Sequence, residues 1–184
     1  MALKGQAIVI VNYAKGVGKT TVCWHLADAL ARHSKKVLVI DADPAGDLTR
    51  YAKVTPRETQ SLDEMVTAQR KSAPETFIVS EGLPKNISLL PGREHTRKLE
   101  KLAREFLGPL DVAIVLAAPL RKLRNSFDFI LIDTSHKAAE TSTFCAMSAS
   151  DWIVPVVDTS ESSYKALEKV LEDKKLVMDT ANAF

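Results

Sequence analysis

Short apolar runs recur along the chain with little alternation between polar and apolar positions. Such runs are typical of strands in a parallel sheet, because helices cover both faces of that sheet. The clearest examples are Ile8–Val11, Val37–Asp41, Phe127–Asp133 and Asp151–Val157, all expected to be buried. The pattern predicts an α/β fold: a doubly wound, mainly parallel sheet with helices on both faces.

Weaker patterns fill the segments between these runs. Thr76–Ser80 and Ile87–Pro91 predict two further short strands. In the first helix, a stripe formed by Val22, Leu26, Ala29 and Leu30 is expected to face the sheet. A capping box at Ser61 and Glu64 predicts the start of a short helix. Further helices are expected over 95–107, over 110–123 with Pro119 interrupting, and over 138–149. A last helix is expected to be capped by Asp158–Glu161 and to continue through Tyr164 to Met178.

Composition limits the number of domains and the class of protein, but it does not indicate a function. The 184 residues suit one domain spanning 1–184, and a net charge of +2 argues neither for nor against an anionic partner. The two cysteines, Cys23 and Cys145, lie far apart and form no metal or redox spacing. With no run of membrane-spanning length and no signal peptide pattern, a cytoplasmic protein is expected.

The strongest chemical signal follows the first strand, where the sequence reads Ala-Lys-Gly-Val-Gly-Lys-Thr-Thr over Ala14–Thr21. Glycines allow backbone N–H groups to approach phosphate oxygens, and a helix N-terminus behind them favours an anion. Lys19 would place its charge on the β/γ-phosphates, and the Thr20 hydroxyl would be a ligand of Mg²⁺. The nucleotide-binding residues are therefore expected to be Lys15, Gly16, Val17, Gly18, Lys19, Thr20 and Thr21.

Acidic residues follow two of the predicted strands. Asp41 and Asp43 come directly after the second strand, and ligands of open α/β sheets bind beyond the carboxyl ends of strands. Asp133 ends a buried strand after four apolar positions, which is the Walker B pattern for a carboxylate that holds Mg²⁺. These residues are expected to lie beside the phosphate loop.

Together these motifs resemble the deviant-Walker ATPases of the ParA/MinD type, which act in plasmid and chromosome partition and in Min-type positioning. The resemblance covers nearly all of 7–169, including a segment from Asp41 to Thr49 similar to the family's switch segment. It implies that Asp43 is catalytic with Lys19 and orients the attacking water, whereas Asp41 supports the metal site with Thr20 and Asp133. Two family residues differ, because the signature lysine is Ala14 and the first glycine is Lys15.

The resemblance also implies partners. It implies ATP-dependent homodimerisation, a partner protein that stimulates hydrolysis, and a cargo such as DNA; carboxysome-distributing relatives that also lack the signature lysine make another cargo credible. Family members usually continue with a further strand and helices, so the chain is either a compact variant or a truncated piece. The alternative is a nucleotide-binding regulatory module with little hydrolysis.

The sequence leaves two details open. Lys15 either takes over the role of the signature lysine across the dimer or only disturbs the loop, where a Cβ at positive φ costs about 1 kcal/mol or more. A basic stripe of Arg97, Lys101 and Arg104 could contact DNA phosphates, but such a stripe is more often a solvated face. The near-neutral net charge and the lack of the family's C-terminal region predict at most weak DNA binding. Arg121, Lys122 and Arg124 form a basic cluster predicted to lie on a loop.

Overall fold

A computed structural model describes residues 5–68, 72–92, 109–137 and 141–182. Its five strands form one sheet in the order β3-β2-β4-β1-β5, and every pair of neighbouring strands is parallel. The strands are β1 (Gln6–Val11), β2 (Val37–Asp41), β3 (Ile87–Leu90), β4 (Phe129–Asp133) and β5 (Trp152–Pro155). The predicted mainly parallel α/β fold is confirmed, with β4 at the centre of the sheet.

Helices cover both faces of this sheet. They are α1 (Lys19–Arg32), α2 (Asp47–Tyr51), α3 (Leu62–Ala68), a 3-10 turn (Pro74–Phe77), α4 (Pro109–Leu123), α5 (Thr141–Ala149) and α6 (Glu161–Asn182). Val39 and Leu131 point to a cluster with α1 and α2, whereas Ile40 and Ile132 point to a second cluster with α3, α4 and α5. Alternate residues of each central strand thus supply two separate cores, as a doubly covered sheet requires. None of the described helices is long and apolar enough to cross a membrane.

The prediction of a strand over Thr76–Ser80 is wrong. Pro74 opens a 3-10 turn instead, where its fixed φ is favourable, and the Thr76 hydroxyl donates to the Ala73 carbonyl at 2.7 Å. Val79 makes an isolated antiparallel bridge with Leu89. The prediction of β3 over 87–91 is confirmed.

The strand β5 is less buried than its apolar sequence suggests. It pairs with β1 alone among the described strands, and Trp152 and Val154 are 57% and 38% exposed. Ile153 faces the opposite way and packs against the core. The prediction of a buried strand was wrong because an edge position leaves one side of the strand uncovered.

Helix α1 is rotated relative to the expected stripe. Its buried positions are Lys19, Cys23, Ala27 and Ala31, while Val22 is 39% exposed. Residues four apart share a helix face, so burial of Lys19 places the other three against the sheet. The face of this helix that is turned to the sheet is thus the one that carries Lys19, and not the one with the largest apolar side chains.

Helix α4 continues through Pro119 to Leu123, so Arg121 and Lys122 lie in its last turn and not on a loop. The region of Arg97, Lys101 and Arg104 lies outside the described residues. Arg124 has a structural role, since its guanidinium donates to Asp151 Oδ2 at 2.5 Å and to the Gly5 carbonyl at 3.0 Å. Asp151 Oδ2 also accepts from the Ala7 N–H at 2.8 Å. The Arg124–Asp151 pair therefore joins the end of α4 and the start of β5 to β1.

We predict that Arg124→Ala lowers the free energy of unfolding by about 1–2 kcal/mol, because it breaks charge-assisted hydrogen bonds that are only partly exposed. Urea denaturation followed by circular dichroism measures the change. Lys122→Ala, which removes an exposed cation of the same helix end, is the control and should change stability little. Equal stability of the two variants would contradict a structural role for Arg124.

Candidate functional site

The sequence-predicted residues converge at one edge of the sheet, where β1, β2 and β4 end. Asp41 and Asp133 are directly paired across β2 and β4, and Ile10 of β1 is paired with Asp133 on the other side. The loop that follows β1 leads into α1 at Lys19. Parallel strands place their carboxyl ends at the same edge, which explains why distant motifs meet here.

The glycines of the loop are required by backbone conformation. Gly16 and Gly18 have φ of 82° and 93°, in the region that side chains with a Cβ rarely adopt. Beyond the neighbouring residues of the chain, no described atom lies within 4 Å of where a Cβ would stand at either glycine. The loop therefore leaves an open cradle beside its N–H groups, at the N-terminus of α1, where an anion is favoured.

Lys19 is buried within this loop, and its Nζ donates to the Ala14 carbonyl at 3.2 Å. Burial lowers the pKa of its ammonium group, whereas the charges of Asp133 and Asp43 act to raise it. The side chain thus lies folded across the cradle, close to two carboxylates.

Thr20 and Asp133 form the contact between loop and sheet. The Thr20 hydroxyl donates to Asp133 Oδ2 at 2.7 Å, and Asp133 is fully buried. Its other oxygen, Oδ1, has no hydrogen-bond partner among the described residues. Burial raises the pKa of this carboxyl to about 7, helped by the charges of Asp41 and Asp43 and opposed by Thr20 and Lys19.

Asp41 has its partners within the protein. Asp41 Oδ2 accepts from the N–H and the hydroxyl of Thr49 at 2.8 and 2.6 Å, and Gly92 N–H donates to the Thr49 hydroxyl at 3.0 Å. A Cβ at Gly92 would lie 2.7 Å from Asp41 Cγ, so only glycine fits there. Asp41 therefore fixes the segment after β2 against the end of β3, and burial raises its pKa to about 6.

Asp43 is 8% exposed and lies near enough to Lys19 to affect the pKa of that lysine. Its Oδ1 accepts from the Ala45 N–H at 2.8 Å, which closes a tight turn. Gly46, at φ 66°, then leads into α2. The turn restrains the Asp43 carboxylate close enough to Lys19 for the two charges to interact.

The remaining loop residues differ in exposure. Lys15 and Thr21 are exposed, and Val17 is buried. The expectation of a positive φ at Lys15 is wrong, because the non-glycine residues of that kind in the described ranges are Ser34, Lys53 and Asn86. Lys15 therefore occupies this position without the backbone strain expected there.

Sequence reasoning missed the residues that hold the loop from behind. Asn12 and Tyr13 donate side-chain hydrogen bonds to the segment after β5 and to α6. Asn12 at a strand end is a recognisable turn residue, since its Oδ1 accepts from the Ala14 N–H at 2.7 Å. Nothing in the sequence marks its partners more than 140 positions away.

The residues at this edge fit a magnesium nucleotide. The described residues contain no group of three or more His, Cys, Asp or Glu that could hold a metal ion by themselves. Mg²⁺ is commonly bound by one or two carboxylates together with substrate phosphates and waters. The buried, unpartnered Oδ1 of Asp133 and the adjacent Thr20 hydroxyl supply such a partial set beside an open phosphate cradle.

A parallel sheet with this loop and this strand-end aspartate defines the class of P-loop nucleoside triphosphatases. The profile of the family described as AAA domain (AAA_31) matches residues 5–184, so the chain belongs to that family. Its relatives place it with the ParA/MinD-type partitioning and positioning ATPases.

Two curated relatives illustrate the likeness. The sporulation initiation inhibitor protein Soj of Bacillus subtilis is 26% identical over 97% of this chain and 68% of its own length. The maintenance of carboxysome distribution protein A of Synechococcus elongatus is 27% identical over 94% of this chain and 64% of its own length. An ATP complex of Cyanothece McdA is 26% identical with a TM-score of 0.84, covering 97% of this chain and 66% of that chain. The chain thus spans about two thirds of the length of these relatives.

The buried carboxyls predict a pH dependence of stability. The pKa values of Asp41 and Asp133 are raised from 3.8 to about 6 and about 7, so the folded protein binds these protons more tightly than the unfolded chain. This stabilisation is complete below about pH 4 and is lost as pH rises through 6 and 7. We expect the free energy of unfolding to fall between pH 5 and pH 8 by about 2 kcal/mol or more.

Urea titrations at several pH values in the absence of nucleotide measure this slope. Asp133→Asn should make the slope shallower, because the amide does not titrate and only the part due to Asp41 remains. The exposed control Glu81→Gln should keep the wild-type slope. A wild-type stability that rises from pH 5 to pH 8 would contradict the assignment.

Proposed function

We propose that this chain is an ATPase that binds Mg·ATP and positions or partitions DNA or another cellular cargo through ATP-dependent dimerisation. The observation that carries the proposal is the convergence of the glycine cradle, Lys19 and Thr20 with the buried Asp133 at one edge of the sheet. The names of its relatives concern plasmid partitioning, septum-site determination and carboxysome distribution. They support a positioning role and leave the cargo of this chain open.

In the proposed complex, Lys19 moves from the Ala14 carbonyl to the β/γ-phosphates, and Gly16 and Gly18 leave loop N–H groups free to donate to phosphate oxygens. Thr20 and Asp133 would hold Mg²⁺, which supplies positive charge to the phosphates when bound. The exposed Lys15 and Thr21 and the buried Val17 complete the expected nucleotide-binding loop.

Asp43 is proposed to orient the water that attacks the γ-phosphate. Its carboxylate is near enough to Lys19 to affect the pKa of that lysine, and its Oδ1 accepts from the Ala45 N–H in a tight turn. Asp41 supports this arrangement through Thr49 and Asp43, since Asp43 N–H donates to Asp41 Oδ1 at 3.3 Å. These hydrogen bonds tie Asp43 to the end of β2, where Asp41 is paired with Asp133 of β4.

The dimer is proposed to be unconventional, with slow ATP turnover that a partner protein stimulates. Ala14 has no charge to extend across an interface, while Lys15 is exposed, carries its charge on a flexible stem and does not strain the loop. Any DNA contact by this chain is proposed to be weak, given its near-neutral net charge of +2.

The second candidate is a nucleotide-binding regulatory module with little hydrolysis. The uncharged Ala14 at the position of the family's signature lysine favours it. Turnover separates the two functions: a module binds Mg·ATP and changes its assembly without releasing phosphate above background.

We predict that Lys19→Ala abolishes measurable Mg·ATP binding, because the phosphates lose their nearest cation. Isothermal titration calorimetry with and without Mg²⁺ measures the affinity. Lys85→Ala, which removes an exposed lysine away from the site, should bind as the wild type does. Unchanged affinity in Lys19→Ala would refute the proposed phosphate site.

We further predict that Asp43→Ala keeps Mg·ATP binding, stops hydrolysis and prolongs the ATP-bound dimer. Phosphate release and light scattering with and without ATP measure the two effects. Asp43→Asn keeps the turn and removes the charge, so it should match Asp43→Ala, whereas Asp47→Asn at the exposed start of α2 should hydrolyse normally.

The same trapped dimer tests Lys15. If Lys15 crosses the interface, Lys15→Ala in the Asp43→Ala background should return the protein to monomers in ATP, and if it does not cross, the dimer should persist. Hydrolysis at the wild-type rate by Asp43→Ala would show that another group orients the water.

A further inference from the structure

The loop that carries Lys19 is attached to α6 at two points. At the first, Asn12 Nδ2 donates to the Val156 carbonyl at 2.8 Å and to the Ser163 hydroxyl at 3.3 Å. Ser163 is fully buried near the start of α6. Since Asn12 Oδ1 accepts from the Ala14 N–H, this contact reaches directly into the loop.

The second attachment is a short hydrogen bond between charged and neutral groups. Tyr13 Oη donates to Asp173 Oδ2 at 2.6 Å, and the Asp173 side chain is only 16% exposed. Burial raises the pKa of the Tyr13 phenol, and Asp173 raises it further, so the phenol remains a donor. Lys169 lies one helical turn away, with its Nζ 3.4 Å from Asp173 Oδ1, and partly offsets the carboxylate charge.

The two attachments fix both the position and the rotation of α6 relative to the loop. Ser163 and Asp173 are ten residues apart, which is about 15 Å along a helix. The Asn12 and Tyr13 contacts hold adjacent residues of the loop to these two separated points. A hydrogen bond to a carboxylate is short and directional, so it restrains the loop more narrowly than apolar packing does.

We propose that Tyr13 is a positioning residue that, through Asp173, sets the backbone of Ala14 and Lys15 and so prepares the cradle for phosphate. The carbonyl that holds the Lys19 ammonium belongs to Ala14, the residue between the two restraints and the glycines. Without the hydrogen bond from Tyr13 to Asp173, the backbone of Ala14 and Lys15 is restrained only through Asn12. The loop must then become ordered when phosphate binds, which weakens binding. The inference rests on the proposed nucleotide binding.

The experiment compares the wild type with Tyr13→Phe, Asp173→Leu and the double variant. Calorimetry measures Mg·ATP affinity, and hydrogen–deuterium exchange of the nucleotide-free protein measures protection of the loop amides over 14–18. Each single variant is expected to bind Mg·ATP roughly tenfold more weakly, with faster exchange of the loop amides. The double variant should be no weaker than either single variant, since both remove the same interaction.

Two further variants separate positioning from general stability. Asp173→Asn keeps an acceptor for the Tyr13 hydroxyl, so it should recover most of the affinity that Asp173→Leu loses. Tyr164→Phe removes a phenol hydroxyl from a 64% exposed position of the same helix and should match the wild type. Thermal unfolding of every variant shows whether a change in affinity follows stability instead.

The outcomes decide the proposal separately from the proposed function. Wild-type affinity and wild-type loop exchange in Tyr13→Phe would overturn it, as would additive losses in the double variant or losses that track the unfolding temperature. If the wild type does not bind Mg·ATP, the proposed function fails, and the exchange data alone decide whether Tyr13 and Asp173 position the loop. Faster exchange over 14–18 in both Tyr13→Phe and Asp173→Leu then supports it, and unchanged exchange refutes it.

Discussion

Three carboxylates buried at one edge of a parallel sheet are the constraint on which the rest of this structure depends. Asp41 and Asp133 are fully buried on neighbouring strands, and Asp43 is nearly so. The charges of Asp133 and Asp43 act on the buried Lys19. Removing carboxylates from water costs free energy unless hydrogen bonds or cations compensate them. Thr20, Thr49 and backbone N–H groups supply part of that compensation, while Asp133 Oδ1 stays unpartnered among the described residues. Such an edge favours a cation, and its raised carboxyl pKa values follow from the same burial.

Much of the surrounding structure follows from satisfying these groups. Helix α1 turns its Lys19 face inward, which places the small Cys23 and Ala27 against the sheet and leaves Val22 exposed. Gly92 lacks a side chain because Asp41 occupies the space where a Cβ would stand. Thr49 accepts from Gly92 and donates to Asp41, so the end of β3 is tied to the start of α2. Positions that look unremarkable in sequence are thus constrained by one buried carboxylate.

The phosphate loop is restrained on two sides in different ways. On the sheet side, Thr20 donates to Asp133, and on the helix side, Asn12 and Tyr13 donate to the segment after β5 and to α6. Two glycines at positive φ give this loop more conformational freedom than residues with a Cβ would. Its conformation therefore depends on these external hydrogen bonds, which come from parts of the chain far apart in sequence.

By itself, the sequence predicted the class of fold and the edge of the sheet where the glycine-rich loop and the acidic residues meet. Unalternated apolar runs predicted β1, β2 and β4, and the glycine-rich loop and the strand-end acids predicted which edge carries the chemistry, because these signals are local. The exposure of β5 was not predictable, since an apolar strand has the same sequence pattern whether it pairs with one neighbouring strand or with two. The turn over Pro74–Phe77, the rotation of α1 and the pairing of Tyr13 with Asp173 were also decided only by the tertiary structure. Each depends on which distant groups meet in space, and a contact between residues 160 positions apart leaves no local pattern in the chain.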